Sequence, residues 1–342
     1  LIYVLLATVC DVMPLRKLNR LIALNALKNF DITKNLPLST LFDLNEKKNK
    51  ININDLGYLI GPILNAGGRL GKSKYATELL SSNNDQVVKD RSINLIKLNN
   101  KRKEIENLVL NEIDFKIIEK ENKEVIIYYN PNINEGLIGI IAARLKDYFN
   151  KPSIVITRSN ELLKGSARSV YNYNIGRVIK NSLDKNIIIN GGGHNMAAGF
   201  TLNKTNLKDF ENYILEDFLK SNTVNYNIFA YESEISSFAF NQGFYDNIRK
   251  LEPFGTGNSV PSFMLRDLRI TKSIVLNNKH ISSILKSKTG FSIKSISFNS
   301  IDTKIGEHLM GYKNSINVIG QINENIWNNK KTLQLTIRDL IL

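Results

Sequence analysis

Four short constellations in this 342-residue chain set chemically capable side chains among small or apolar neighbours. The first is Ala7-Thr8-Val9-Cys10-Asp11-Val12-Met13-Pro14-Leu15, followed by Asn19-Arg20. A carboxylate embedded in apolar residues is costly to bury unless it is paired or holds a metal ion. Capping a helix or joining a salt bridge would satisfy Asp11 equally well. The second, Asn65-Ala66-Gly67-Gly68-Arg69, joins paired glycines, which let a backbone approach a ligand, to a guanidinium fork that fits phosphate. A tight turn before a helix, with Arg69 in solvent, is the plainer reading of those five residues. In the third, Lys164-Gly165-Ser166-Ala167-Arg168-Ser169, small residues and two hydroxyls flank an arginine. Phosphate oxygens approached by backbone N–H and side chain together suit such a loop. The fourth, Gly191-Gly192-Gly193-His194 followed by Ala197-Ala198-Gly199-Phe200, puts an imidazole on a glycine-rich turn. A lone histidine is more often structural, and the three glycines shift the balance toward a site.

The elements that must position these residues fall into three regions. The first, to about Gly71, ends in the glycine-rich stretch that carries Asn65 and Arg69. Neither Gly nor Pro then occurs from Lys72 to Asn130, which permits long helices. Ile105, Leu108, Val109 and Ile113 recur at helical spacing, as in a connector leading to a second domain. In that domain the pattern predicts strands over 124–129 and 153–157, a helix over 136–148, a short strand over 187–189 running into the glycines, and a helix over 206–219. Alternation of this kind predicts an α/β sandwich. From about residue 225 the pattern changes to short strands, at 262–265, 274–276 and 293–298, with 333–337 as a final edge strand. A small all-β barrel fits best, with the OB-fold as first candidate. Its segment from Leu265 to Ser295 holds seven basic residues against one acidic, Asp267.

The composition is globular, 42% hydrophobic and 23% charged, with a net charge of +14. Part of the excess reflects a Lys-, Asn- and Ile-rich sequence of the kind an AT-rich genome encodes. A basic chain still attracts polyanions, and nucleic acid is the commonest in a cell. The single cysteine, Cys10, excludes disulfides within the chain and points to a reducing compartment. Three histidines and one cysteine leave no room for a zinc site of ordinary spacing. No apolar run reaches the ~20 residues that span a bilayer. The apolar opening, Leu1 to Val9, lacks a basic flank and a cleavage site, so no signal peptide is expected.

Singly these motifs are weak, but their order and spacing are specific. The stretches 7–15, 61–69, Asn134-Glu135-Gly136-Leu137-Ile138-Gly139-Ile140, 165–169 and 192–200, with Leu251-Glu252-Pro253-Phe254-Gly255-Thr256-Gly257-Asn258 and Pro261, resemble the RecJ family of single-strand-specific 5′→3′ exonucleases over essentially the whole chain. The resemblance implies an α/β core of two domains, DHH and DHHA1, plus an OB-fold. Residues 1–71 would be the C-terminal part of the DHH domain, 72–120 connector helices, 121–222 the DHHA1 domain and 225–342 the OB-fold. It also implies a two-ion Mn²⁺ or Mg²⁺ site in which Asp11 matches the last metal-binding aspartate. The family's Asp-x-Asp and Asp-His-His motifs are absent and expected upstream of residue 1. Cys10, where a small residue is usual, and Asn195 are lesser departures. Carried over by position, Ser166 and Arg168 would grip the 5′-terminal phosphate, and Asn65 and Arg69 would touch the backbone near the scissile bond. His194, on the Gly192-Gly193 turn, would contact the phosphate being cut, with in-line attack by a metal-bound hydroxide. The implied setting is the cytoplasm, in DNA repair and recombination, with a helicase and a single-strand-binding protein supplying single-stranded DNA to a monomer and no membrane involved. Two other readings stay open: a DHH/DHHA1 phosphodiesterase acting on short oligonucleotides or cyclic dinucleotides, which would match only the first two regions, and a single-strand-binding accessory protein without catalysis.

Overall fold

An apolar stripe at Ile2, Leu5 and Leu6 makes the first helix, α1 (Ile2–Cys10), one-sided. It stops at Asp11, where Met13 N–H returns to the Thr8 carbonyl at 3.0 Å. Helix α2 (Lys17–Asn29) follows and buries Ala23 and Ala26. The structure is a computed structural model describing residues 1–48, 50–221, 230–311, 315–327 and 330–341. It divides into two units, Leu1–Phe30 with Asn227–Leu342, and Asp31–Tyr226. The domain boundary expected at 222–225 lies outside the described residues.

In the second unit, α3 (Leu36–Leu44) starts where the Asn35 side chain accepts from Leu38 N–H, with Pro37 in the first turn. A π-helical turn at Asp55–Ile60 runs directly into α4 (Gly61–Arg69). The stretch read as a tight turn is therefore a helix, because Pro62 sits in its first turn and Ile63, Ala66 and Gly67 continue a buried stripe. Helix α5 (Lys74–Ser81) and the 28-residue α6 (Asp85–Glu112) follow, the latter capped by Asn84 Oδ1 accepting from Val87 N–H. Helix α7 (Phe115–Glu121) leads into a five-stranded sheet.

The sheet is built from β1 (Ile126–Tyr129), β2 (Ser153–Ser159), β3 (Leu162–Arg168), β4 (Asn190–His194) and β5 (Ala197–Leu202) in the order β1-β2-β3-β5-β4. Only β1 and β2 run parallel. One face packs Ile154, Leu163, Ala167 and Phe200 against α9 (Ile175–Asp184) and α10 (Leu207–Lys220). The other packs Ile126 and Val155 against α8 (Ile138–Phe149) and the end of α6 at Val109. The α/β class holds, with two local corrections. Gly191 to Gly193 lie in strand β4 rather than a turn, and Gly165 to Arg168 are ladder-paired on both edges. On β3, side chains rather than free backbone N–H groups therefore face any ligand.

In the first unit, the short β6 (Ser233–Glu234) and α11 (Gln242–Arg249) precede five long strands. These are β7 (Phe263–Leu276), β8 (His280–Lys286), β9 (Ser292–Ser297), β10 (Ser315–Trp327) and β11 (Lys330–Ile341), with α12 (Lys304–Gly311) between β9 and β10. The order β7-β8-β9-β11-β10 closes through a β10–β7 pairing, and β9 and β11 run parallel. This is the OB arrangement. Residues 262–265 and 274–276 prove to be the two ends of one long strand, and 333–337 lie on no edge, since β11 pairs with both β9 and β10. Residues Pro14 to Arg20 are held by the loop before β7. Leu15 N–H donates to the Thr256 carbonyl (2.7 Å), Arg16 Nε to Gly257 O (2.6 Å), and Arg20 Nη2 to Leu251 O (2.7 Å) and Glu252 O (3.0 Å).

Candidate functional site

Three elements of the second unit meet at a cavity of about 470 Å³: the end of α4, the start of α8 and strand β3. Its lining includes Asn65 and Arg69 from α4, Glu135 and Gly136 from the turn before α8, Gly139 from its first turn, and Ser166 and Arg168 from β3. Four residues singled out in separate stretches of sequence are thus brought together. Ser166 and Arg168 are two apart on a strand, so both point to one face. Arg168 Nη1 donates to Ser166 Oγ (3.0 Å) and to its neighbour's carbonyl, Ala167 O (2.9 Å). Arg69 Nη1 donates to Gly136 O (2.9 Å), and a Cβ at Gly136 would lie 2.2 Å from Arg69 O. Only glycine lets α4 and the α8 entry approach so closely. A Cβ at Gly139 would lie 2.9 Å from Arg168 Nη2 and 3.1 Å from Ser166 Oγ, so Gly139 keeps the arginine's place open. No side chain caps the start of α8, whose residues Ile138 and Gly139 line this space.

The electrostatics are lopsided. Burial, then the neighbouring Arg102, lowers the Arg69 pKa; burial, then Arg69, lowers that of Arg168. Neither guanidinium has a carboxylate partner among the described residues. The one acid at the cavity, Glu135, is engaged by Lys164 Nζ at 2.6 Å, and the hydrogen bonds from Lys164 and Ser159 hold its carboxyl below the ordinary value. Behind Arg69, the buried Glu106 bridges Arg102 (2.7 Å) and Arg144 (2.8 Å), tying α6 to α8. Two partly desolvated cations beside an uncapped helix start make a site for a compact anion carrying about two charges, such as a terminal phosphate.

His194 does not line the cavity; it lies on the same floor. Arg168 pairs with Ala197, and Ala197 with His194, so the three form one cross-strand row, with Arg168 and His194 about 10 Å apart across two strand spacings. The next row is Ser166, Gly199 and Gly192. A Cβ on Gly192 would meet nothing within 4 Å, so the floor between the cavity and the imidazole is bare. Gly193 faces the other side, where a Cβ would lie 2.3 Å from Ala197 O. His194 is exposed, and its Nδ1 accepts from Met196 N–H at 3.3 Å, leaving Nε2 for a ligand.

Asp11, in the other unit, is exposed at the end of α1. Among the described residues no group of three or more His, Cys, Asp or Glu could hold a metal ion. Sequence reasoning missed Glu135, Gly136 and Gly139 as site residues, although all three fall within the motif stretch Asn134 to Ile140. It missed Glu106 altogether, which carries no motif. On the barrel, Arg266 is ion-paired to Glu234 and Lys288 to Asp267. Arg269 and Lys286 are directly opposed, as are Lys272 and Ile284, and Ile284 and Lys294, which lays a basic band across β7, β8 and β9.

Residues 122–220 match the model of the DHHA1 domain, and residues 231–339 match the model of the RecJ OB domain. The chain is similar to the single-stranded-DNA-specific exonuclease RecJ of Haemophilus influenzae, 31% identical over 92% of this chain and 58% of that protein. It is also similar to the Bacillus subtilis protein of that name, 27% identical over 98% of this chain and 43% of that one. Among solved structures, Thermus thermophilus RecJ in complex with Mn²⁺ superposes with a TM-score of 0.83 at 22% identity, covering 99% of this chain and 49% of that one. The same protein with Mg²⁺ gives 0.82 at 21% identity, covering 98% of this chain and 51% of that one. At those identities the structural likeness shows the fold. The chain spans about half the length of the curated relatives it matches. No helix among the described residues is long and apolar enough to cross a membrane.

Proposed function

The chain belongs to the RecJ family, and we propose that it holds the 5′-phosphorylated end of single-stranded DNA for 5′→3′ exonucleolytic degradation. The observation that carries this reading is the cavity, where Arg69 and Arg168 converge without an ion-paired carboxylate among the described residues. Arg168 and Ser166 bind the terminal phosphate with the start of α8, and Arg69 and Asn65 bind the next part of the backbone. The strand then crosses the glycine floor toward His194. An end lacking the phosphate leaves the Arg168 guanidinium uncompensated, which gives the enzyme its polarity. The basic band on the barrel adds sequence-independent affinity for longer strands.

Hydrolysis in this family reading uses Mn²⁺ or Mg²⁺, ions with which a relative has been solved. Such ions take several oxygen ligands. Asp11 alone does not supply the ligands of a two-ion site. That observation favours, for these residues taken by themselves, the second reading of a binding module without catalysis.

The test is binding of the 342-residue chain to matched 5′-phosphorylated and 5′-hydroxyl oligonucleotides, repeated with Arg168→Ala. A charge-assisted contact is worth about 1.5–3 kcal/mol, so the phosphorylated strand should bind roughly tenfold or more tightly, and the variant should lose that preference. An Arg168→Ala chain that keeps the full preference would overturn the assignment.

A further inference from the structure

The π-helical turn at Asp55–Ile60 has no part in the cavity, yet it is built with care. Asn52 N–H donates to Asp55 Oδ2 (3.1 Å) while Asp55 N–H donates to Asn52 Oδ1 (3.0 Å), and the buried Asp55 carboxylate is met by Lys47 Nζ at 3.1 Å. Leu56 and Ile60 are fully buried on either side. Between them Tyr58 is turned outward and is 84% exposed. No ring contact or hydrogen bond engages it among the described residues. The wider turn of a π-helix sets which way that ring faces. On α4, Pro62, Asn65 and Arg69 recur at α-helical spacing. Tyr58 lies four residues before Pro62, just under one π turn, which sets it beside the face of the two α4 residues that line the cavity. Asn65 lies roughly 10 Å further along the axis.

We propose that Tyr58 is a nucleobase-stacking platform for a nucleotide downstream of the anchored 5′ end. The inference rests on the reading that a phosphate occupies the cavity. A strand held there by its end is led along the exposed face of α4, where the backbone meets Asn65 and a base meets the tyrosine ring. Every base has a π-face, so such a contact secures the strand without reading sequence. The contact needs an unpaired base, which makes Tyr58 a discriminator against duplex independent of cleft width.

The experiment pairs a variant with a matching lesion in the ligand. Binding of the 342-residue chain is measured with short 5′-phosphorylated oligonucleotides carrying one abasic site at successive positions from the 5′ end. The wild type should show a position where loss of the base weakens binding roughly tenfold. Tyr58→Ala should bind the intact strand about as weakly as the wild type binds that abasic strand, with no further loss when both changes are combined. Tyr58→Phe should restore wild-type binding. Since the ring is exposed, the melting temperatures of both variants should match the wild type. Tyr58→Ala binding the intact strand as the wild type does, or losing the full factor again at that abasic position, would overturn the proposal. The 5′-phosphate preference, scored separately with Arg168→Ala, reports on the underlying reading, so the two ideas can fail independently.

Discussion

Substituting Gly139 separates the fold from the phosphate site better than removing an arginine does. An added methyl would sit 2.9 Å from Arg168 Nη2, and ordinary contact begins near 3.4 Å, so the guanidinium must retreat by at least 0.5 Å. The clashing atoms are the far ends of flexible side chains, not backbone. The strain is therefore relieved by moving Arg168 away from the cavity, at little cost to the fold. Alanine is also favoured over glycine in a helix by up to about 1 kcal/mol. Gly139→Ala should melt at the same temperature or a few degrees higher. It should also lose about 1.5 kcal/mol of the 5′-phosphate increment, roughly a tenfold drop in discrimination. Gly139→Val should lose more. Fluorescence anisotropy with 5′-phosphorylated and 5′-hydroxyl strands, alongside a thermal melt, reads both quantities. If Gly139→Ala keeps the wild-type discrimination, then Arg168 does not hold the terminal phosphate in the position the cavity implies.

At Gly136 the obstacle is backbone, 2.2 Å away at Arg69 O, so Gly136→Ala should cost about 1–3 kcal/mol in urea unfolding, whereas Gly192→Ala, with open space, should stay within about 0.5 kcal/mol. Lys286 stands opposite Arg269, so Lys286→Ala should stabilise the barrel by a few tenths of a kcal/mol while making the salt dependence of single-strand binding shallower, by about 0.7 in log–log slope; a steeper slope would refute the basic band. The Glu135 carboxyl titrates below its ordinary value of 4.5. Its stabilising link to Lys164 is therefore fully present above about pH 4.5 and lost as pH falls through the lower folded-state value, and Glu135→Gln should flatten the stability profile in that acid window. With Mn²⁺ present the chain should bind single-stranded DNA without cutting it, and products that vanish in Asp11→Ala would show that a working metal site lies within these residues.

The sequence carried the elements whose periodicity is local. Helix α8, strands β1 and β2, and helix α10 lie within a few residues of their expected positions, and the unbroken run after Lys72 became α5, α6 and α7. It misled wherever glycine was taken as punctuation. Gly61 to Arg69 form a helix because tertiary burial of Ile63 and Ala66 outweighs the weak propensity of three glycines, and Gly191 to Gly193 form a strand because β5 supplies the ladder. Strand β11 looked like an edge because nothing local announces that it inserts between β9 and β10. Of the candidate residues, Arg69, Ser166 and Arg168 were singled out by types suited to phosphate and Asn65 through the family resemblance, while the convergence of the four at one cavity was not legible. Glu135 and Gly139 matter through what they touch, which no spacing rule reveals.

The clasp between Pro14–Arg20 and the loop at Leu251–Asn258 bears on how the molecule can be assembled and dissected. Its partners are separated by up to 241 residues, and the second unit lies wholly between them in the chain. Contacts of such long range are slow to form, because the loop they close must be ordered first. During synthesis α1 and α2 emerge before the second unit and the carbonyls that fix Leu15, Arg16 and Arg20 emerge after it, so this unit matures only after the unit nested inside it. A shortened protein ending near residue 225 would therefore lose more than a barrel. The acceptors at Leu251, Glu252, Thr256 and Gly257 would go with it, leaving the segment that carries Asp11 without those hydrogen bonds. Any fall in activity after such a cut should be compared with Arg20→Ala in the intact chain before it is credited to lost DNA contacts.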